Sequence, residues 1–389
     1  MITKSVFEAS TTADVRAAVF AARHRGLPLA VYATGHGSQE PGDGAVVIRT
    51  AGMAGVLVDP DRRIARVGPG ARWGDVISAA APFGLAPLSG TSPSVGVTGY
   101  TLGGGLGWLS RRYGLAADSV VRADIVTADG SLHTVSADRE PDLFWAIRGG
   151  GANFGVVTAL EFRLYPVATV HAGVATFPLD RAADLLAYYR DWAPAMPDEL
   201  TANIVLGKES VAVRGMYAGS AEDARCALAP LWRVAGTPLR DGWRTMGYTE
   251  SGTIGGTAPK QFNLLAEVPD AVLSAAVEAV RGDANAVELR HWGGAMSRAT
   301  ADSGPAGHRD VPFSIVVDGP AEAAAPIAAH ATGGSFLNFL HDSTRTRTAY
   351  TPDNYRRLRE VKRAYDPDNV FGLTHNIPPA ERPAGRVAS

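Results

Sequence analysis

Apolar residues recur along the first 170 positions in two rhythms, one of helical spacing and one of alternation. Residues 14–22 (DVRAAVFAA) carry the helical rhythm. Thr11 or Thr12 before them offers an N-cap oxygen, so a helix is predicted through Ala22. Short β-rich runs follow at 28–33, 45–48 and 64–67, and residues 73–81 (WGDVISAAA) return to helical spacing. Residues 124–127 and 132–135 flank Asp129-Gly130, a two-residue hairpin signal, and 156–165 reads as a long strand. This is an α+β pattern, with an antiparallel or mixed sheet expected.

A second region opens near Val167 and runs to about Gly319. Helical stretches at 182–191, 221–233 and 271–280 interleave with strands at 210–217, 286–292 and 313–317, which predicts a sheet with helices on one face. A further helix is expected at 321–331, a strand at 336–340 and an amphipathic helix at 352–365. On the last, Arg356, Arg357, Arg359, Lys362 and Arg363 are interrupted by Asp353 and Glu360, the mark of a solvated face. The expected division is 1–167, 168–332, 333–380 and a tail over 381–389, with no internal repeat or low-complexity tract.

Composition narrows the function classes. The 389 residues carry 37 basic and 39 acidic groups, a net charge of -2, so nothing calls for nucleic acid or an anionic membrane. The one cysteine, Cys226, excludes an intramolecular disulfide and a multi-cysteine metal site; on the 221–233 helix it is expected as a small buried hydrophobe. The opening MITKSVFEAS lacks a secretory signal's apolar stretch, and no uncharged run is long enough to span a bilayer, so a cytoplasmic protein is expected.

Glycine changes the picture most. Of 44 in all, a disproportionate share lies in 35–44, 90–107 and 149–155. Such clusters make tight turns or let backbone approach a phosphate or a flat ring. Neither G-x-G-x-x-G nor G-x-x-x-x-G-K-[ST] occurs, which argues against a Rossmann nicotinamide site and a P-loop. The first cluster, Thr34-Gly35-His36-Gly37-Ser38, follows a predicted strand and offers N–H groups and hydroxyls beside one imidazole. The second runs from Gly90 to Trp108, and the third, Gly149-Gly150-Gly151-Ala152-Asn153-Phe154-Gly155, turns into the long strand.

Together these segments resemble the flavin-binding half of the vanillyl-alcohol oxidase and p-cresol methylhydroxylase (PCMH-type) superfamily, in its berberine-bridge-enzyme-like branch. The resemblance extends to Leu109-Ser110-Arg111-Arg112-Tyr113-Gly114-Leu115 with Asp118, to Asp142-Leu143-Phe144-Trp145-Ala146, and to Tyr365-Asp366-Pro367-Asp368-Asn369-Val370-Phe371 with Asn376-Ile377. It covers nearly the whole chain. It implies a two-domain PCMH-type FAD-binding fold, completed by the C-terminal segment, with a central substrate domain whose antiparallel sheet is covered by helices. The implied FAD contacts are Thr34, Gly35, His36, Gly37 and Ser38 in the first loop. The second contributes Gly90, Thr91, Ser92, Val95, Gly96, Gly99, Tyr100, Leu102, Gly103, Gly104, Gly107 and Trp108, and Gly155, Val157 and Asn376 follow. The resemblance further implies a covalent bond from His36 to the flavin 8α-methyl. The position where many relatives place a second, cysteinyl link holds Ser92, which lacks a thiolate, so a single link is expected. No metal is implied.

The catalytic positions depart from the family. Where relatives carry a tyrosine base in Asn-Tyr-x-Asp, this chain has Asn338-Phe339-Leu340-His341-Asp342. Where others place a glutamate after a His-Arg pair, His308-Arg309 leads into the apolar strand 313–317. The candidates that remain are Tyr100, positioned for the flavin N1–C2 edge, with His291, Tyr248 and Asp342, and behind them Tyr113 and Glu288. Strand alternation allows only one of His291 and Trp292 to face the flavin. Trp243, Tyr248, Phe262, Trp292 and Phe313 suggest an apolar, aromatic ligand. The expected activity is an FAD-dependent oxidoreductase that takes a hydride from a small or medium, aromatic or secondary-metabolite substrate, with O2 or another electron acceptor. The alternative is a flavoprotein scaffold without net redox turnover, cyclase-like or ligand-binding. By analogy with high-GC bacteria, a role in secondary metabolism is expected. The chain opens close to the Val6-Phe7 strand and its central region is compact against relatives. An open substrate site and one covered by a second subunit both remain, as do monomer and homodimer.

Overall fold

Thr11 starts the first helix. Its hydroxyl accepts the Asp14 N–H while the Asp14 carboxylate accepts the Thr11 N–H, and Gly26 at φ 62° ends the helix Thr12–Arg25. The computed structural model describes residues 4–37 and 43–381. This first helix connects β1 (Ser5–Glu8) to β2 (Leu29–Tyr32), and with β3 (Val46–Arg49) these strands form a parallel sheet ordered β1-β3-β2.

An antiparallel sheet follows from β4 (Val56–Asp59), β5 (Ile64–Val67), β6 (Val120–Val126), β7 (Leu132–Ser136) and β8 (Val156–Arg163), ordered β4-β5-β8-β6-β7. Its β6–β7 hairpin turns at Asp129-Gly130, where Gly130 adopts φ +81° and a Cβ would strike the Phe20 ring. The single sheet expected here is thus two. The helix Thr12–Arg25 buries Val15, Val19 and Ala22 between them, against Ile48 on one and Val126 on the other.

The third sheet is antiparallel. It comprises β9 (Thr169–Pro178), β10 (Leu200–Gly207), β11 (Ser210–Tyr217), β12 (Arg240–Asp241), β13 (Arg244–Gly247), β14 (Gln261–Leu265), β15 (Ala286–His291) and β16 (Phe313–Asp318). The order is β12-β9-β11-β10-β15-β16-β14, with β13 also on β9. One face carries Ile204, Val213, Leu289, Ile315 and Val317 and is covered by the helices Ala182–Trp192, Ala221–Ala235 and Asp270–Arg281 through Leu185, Leu228 and Val272. Because side chains alternate, the other face carries their neighbours. Register aligns Arg214, Asn203, Arg290 and Ser314 in one row across β11, β10, β15 and β16. That polar row faces the second glycine segment.

The C-terminal helix Pro352–Tyr365 locks the chain end to the third glycine cluster. Lys362 and Asp366 form an ion pair with both side chains 0% exposed, and Lys362 Nζ also donates to the carbonyls of Asn153 and Phe371. The Asn153 amide bridges Gly150 O, His375 O and the Ile377 N–H.

Three further expectations are corrected. Residues 336–340 form a 3-10 turn, Leu337–Phe339, not a strand, because the Asn338 side chain is drawn into the glycine loop while Phe336 and Phe339 pack together. The helix expected to Ala331 ends at Ala328. Cys226 does lie on the helix Ala221–Ala235 but is exposed, since the buried stripe runs through Ala224, Leu228 and Leu231 and position 226 faces away from it.

Candidate active site

The first glycine loop presents His36 on an exposed turn between Gly35 and Gly37, at φ +77° and +71°. Ser38 lies outside the described residues. The loop packs on the second segment: a Cβ at Gly96 would sit 2.5 Å from the Thr34 hydroxyl. Thr91 lies against Gly256 of the third-sheet region, and Ser92 Oγ meets Ser94 Oγ at 2.9 Å. Trp73 N donates to Val95 O, which fixes this stretch to the helix Trp73–Ala80.

Most glycines of the second segment serve packing of the chain on itself. A Cβ at Gly107 would overlap the Ser89 carbonyl, one at Gly103 the Asn338 amide, one at Gly104 the Phe336 ring and one at Gly90 the Tyr100 ring. Gly35, Gly37 and Gly99 differ, with nothing within 4 Å of a Cβ. Asn338 pins the segment by donating to Tyr100 O at 3.0 Å and accepting the Gly105 N–H at 2.8 Å. At Gly155, φ +150° and the nearby Val126 carbonyl require glycine, and Val157 is buried in the core behind it.

Buried polar atoms test whether these loops suit a flavin. Among the described residues the side chains of Thr98, Thr101, Tyr100, Trp108, His375 and Asn376 each hold a buried donor or acceptor with no hydrogen-bond partner. Such groups are rarely left unpaired in a folded protein, and here they cluster on the second segment and on the chain end that Asn153 ties beside the third. A flat heterocycle with carbonyl and N–H edges pairs with groups of this kind. The residues present fit FAD.

Between this segment and the polar face of the third sheet lies a small, partly open cavity of about 40 Å³. Leu106, Trp108, Trp292 and Met296 form its apolar wall; Arg111, Thr201, Asn203, Glu288, Arg290 and His291 form the polar one. Glu288 is 1% exposed, and its carboxylate takes Asn203 Nδ2 at 2.8 Å and Arg290 Nη2 at 3.0 Å, with Arg214 Nη1 at 3.7 Å. Burial opposes the charge, but the two guanidiniums prevail and hold this carboxyl down at about 2. Arg290 also lies over the Phe339 ring, 5.6 Å from its centroid.

Arg111 reaches the cavity from the turn Ser110–Tyr113. It donates to Leu200 O, Met196 O and His291 Nδ1 at 2.7 to 3.0 Å, all uncharged acceptors. Burial, and then the Arg111 charge, push the His291 imidazole down to about 3. It therefore stays neutral, with Nδ1 as acceptor and the proton on Nε2. His291 and Trp292 both line the cavity, at the point where β15 ends at His291. Trp292 donates from Nε1 to Ser314 Oγ, tilts against Phe262 and meets Phe336 edge-on.

The other catalytic candidates lie elsewhere. Tyr100 is half-buried edge-on to Trp73, 5.4 Å between ring centroids, and enclosure of its hydroxyl pushes its phenol up. Tyr248 binds Ser89 Oγ at 2.8 Å and Pro87 O at 3.1 Å behind the loop, its phenol pushed up to about 12 by burial. Asp342 caps the turn Ser343–Ala349 at the surface through Thr344, and Tyr113 stacks on Tyr165. Of the five aromatics taken as ligand contacts only Trp292 lines the cavity; Trp243, for one, packs against Trp232. The Asn203, Arg214 and Arg290 cluster was missed from sequence. Its one signal is charge at positions of β11 and β15 where a sheet interior otherwise carries apolar residues.

Arg309 forms a bidentate pair with Asp118, 2.8 Å on both arms, joining the third-sheet region to the turn after the second glycine segment. No helix among the described residues is long and apolar enough to cross a membrane, and none of their His, Cys, Asp and Glu side chains group in a way that holds a metal ion.

Known proteins share this fold. Residues 3–136 match the family described as FAD binding domain and residues 335–378 the one described as Berberine and berberine like. The (R)-6-hydroxynicotine oxidase of Paenarthrobacter nicotinovorans is 32% identical over 411 residues, covering 94% of this chain and 89% of that protein. The chain belongs to the PCMH-type, berberine-bridge-like FAD-linked oxidoreductases. The crystal structure of 6-hydroxy-D-nicotine oxidase from Arthrobacter nicotinovorans superposes with a TM-score of 0.86 at 29% identity, covering 98% of this chain and 93% of that one. A glucooligosaccharide oxidase of Acremonium strictum, described as carrying 6-S-cysteinyl, 8α-N1-histidyl FAD, shares the fold at a TM-score of 0.84 and 23% identity, over 98% and 93% of the two chains. The protein is an FAD-dependent oxidoreductase, which sets aside the redox-inactive scaffold.

Proposed function

We propose that this oxidoreductase holds FAD through one covalent bond at His36 and oxidises a small organic substrate with an aromatic or otherwise apolar body in the cavity beneath the third sheet. Electrons pass to O2, as in oxidases of this family. Bound FAD supplies the hydride acceptor. The observation that carries the reading is the set of buried, unpaired polar atoms on Thr98, Thr101, Trp108 and Asn376 beside an exposed His36. With Ser92 at the position where the family resemblance implies a cysteinyl link, His36 is the one tether in this reading.

In this reading Thr34, Gly35 and Gly37 carry the first loop around the cofactor, while Gly99, Thr101, Trp108 and Asn376 contact it. Leu106, Trp108, Trp292 and Met296 exclude water from the reacting C–H bond. Neither Glu288 nor His291 is tuned to accept a proton near neutral pH. Their work is electrostatic and positional: Glu288 holds Arg214 and Arg290, and neutral His291 orients Arg111.

The test is an absorption spectrum of the purified protein before and after acid precipitation. Wild type is expected to keep a yellow pellet, and His36→Ala to release FAD into the supernatant. A colourless wild-type pellet sinks the covalent link. Oxidase function is read separately, as anaerobic bleaching by substrate and return of colour on admitting air.

A further inference from the structure

The cavity holds more positive charge than its own carboxylate balances. Arg111 and Arg290 line it, Arg214 stands behind, and Glu288 is the single carboxylate among the lining residues. Glu288 is already committed to Arg290, Arg214 and Asn203. Arg111 is 2% exposed and meets neutral acceptors alone, so its charge has no counter-ion within hydrogen-bond reach. The Nε–H groups of Arg214 and Arg290 are buried without hydrogen-bond partners. Buried cations with unused donors are costly unless something pairs with them.

Across the cavity, the wall of Leu106, Trp108, Trp292 and Met296 is apolar and partly aromatic. One side therefore favours a ring and the other an anion. From this geometry we infer that the substrate is a carboxylate: a ring-bearing acid whose apolar body lies against Trp108 and Trp292 and whose carboxylate engages the Arg290 guanidinium, with Arg111 adding long-range attraction. A planar guanidinium suits a planar carboxylate, and desolvation in the cavity strengthens the contact. The same charges disfavour a cationic amine. This inference rests on the reading that the cavity is the substrate side of the flavin site.

Three probes of one shape separate the cases: benzoate, benzamide and benzylammonium, titrated into flavin-loaded protein by calorimetry. Flavin content is recorded first by absorbance, so loss of the flavin reading is seen independently of the binding comparison. Benzoate is expected to bind roughly tenfold or more tightly than benzamide, with benzylammonium weakest. Arg290→Met is expected to erase the preference for benzoate while leaving benzamide within about twofold, and Arg290→Lys to keep part of it. Equal affinities for benzoate and benzamide in wild type overturn the inference, whatever the variants do. So does a lack of measurable benzoate binding at millimolar concentration, or an Arg290→Met protein that loses both ligands alike while Arg290→Lys retains both.

Discussion

Glu288 and His291 stand on the same short strand and lose their ordinary titration for different reasons. Two guanidiniums stabilise the Glu288 anion, so its folded value of about 2 lies below the ordinary 4.5 of a free glutamate. Its contribution to stability is full above about pH 4.5 and is lost as pH falls through about 2. Burial and Arg111 destabilise the His291 cation, so its folded value of about 3 lies below 6.5. Between these values the unfolded chain binds a proton that the folded chain does not, and stability falls as pH drops from about 6.5 to about 3. Wild type should therefore lose thermal midpoint steadily from pH 6.5 to pH 4.5. His291→Asn, which keeps an acceptor for Arg111 without titrating, should show a flatter profile by calorimetry over that window. Parallel profiles for the two proteins would mean that His291 is protonated in the fold. At neutral pH, Glu288→Gln leaves Arg214 and Arg290 without their counter-ion and should cost about 3 kcal/mol in denaturant unfolding.

Among the elements, the second glycine segment mixes two kinds of glycine that look identical in sequence. Gly107 presses on the Ser89 carbonyl, whereas Gly99 sits in the helix Val97–Leu102 with nothing near a Cβ. Gly107→Ala should destabilise the fold by about 2 kcal/mol or more through overpacking. Gly99→Ala should leave the thermal midpoint unchanged or slightly higher, since alanine favours a helix by roughly 0.5–1 kcal/mol, but should lower flavin content per chain. A Gly99→Ala protein with wild-type flavin content would show that this turn does not face the cofactor. The turn Leu337–Phe339 teaches the same lesson. An apolar run of that length reads as a strand until a distant pair of backbone groups, Tyr100 O and Gly105 N, claims the Asn338 amide.

At the level of the molecule, the chain end and the middle of the chain complete what the first 165 residues begin. The Lys362–Asp366 pair is fully buried and holds Asn153 and Phe371 together, so removing one partner leaves an uncompensated charge. Lys362→Met should cost roughly 3–5 kcal/mol and loosen the 366–377 segment, seen as faster amide exchange at Val370 and Phe371, whose N–H groups Asp366 accepts. A fall in stability without that local change would mean that the pair acts on the fold as a whole and not on the chain end. Arg309 with Asp118, Arg111 with Leu200 and Thr201 with Trp108 O join the third sheet to the second glycine segment.

The elements themselves were largely legible because helix and strand periodicity, N-caps and the Asp129-Gly130 turn are local: the bounds 64–67, 210–217 and 352–365 are reproduced as predicted. The family's motifs were legible for the same reason, as contiguous strings around His36, Tyr100 and Asn376. The chemistry of the cavity was not. Whether an arginine on a strand faces solvent or a buried carboxylate depends on the register of strands far apart in sequence, and this aligned Arg214, Asn203 and Arg290 beside Glu288. Tyr248 and Asp342 were attractive as residue types and lost their place through burial behind a loop and exposure at the surface. The chain alone therefore determined the family and most of its folded elements, since short-range sequence encodes them. Which charges meet in the cavity beneath the third sheet, and with what protonation, only tertiary structure decided, because pairing and desolvation are properties of the assembled interior.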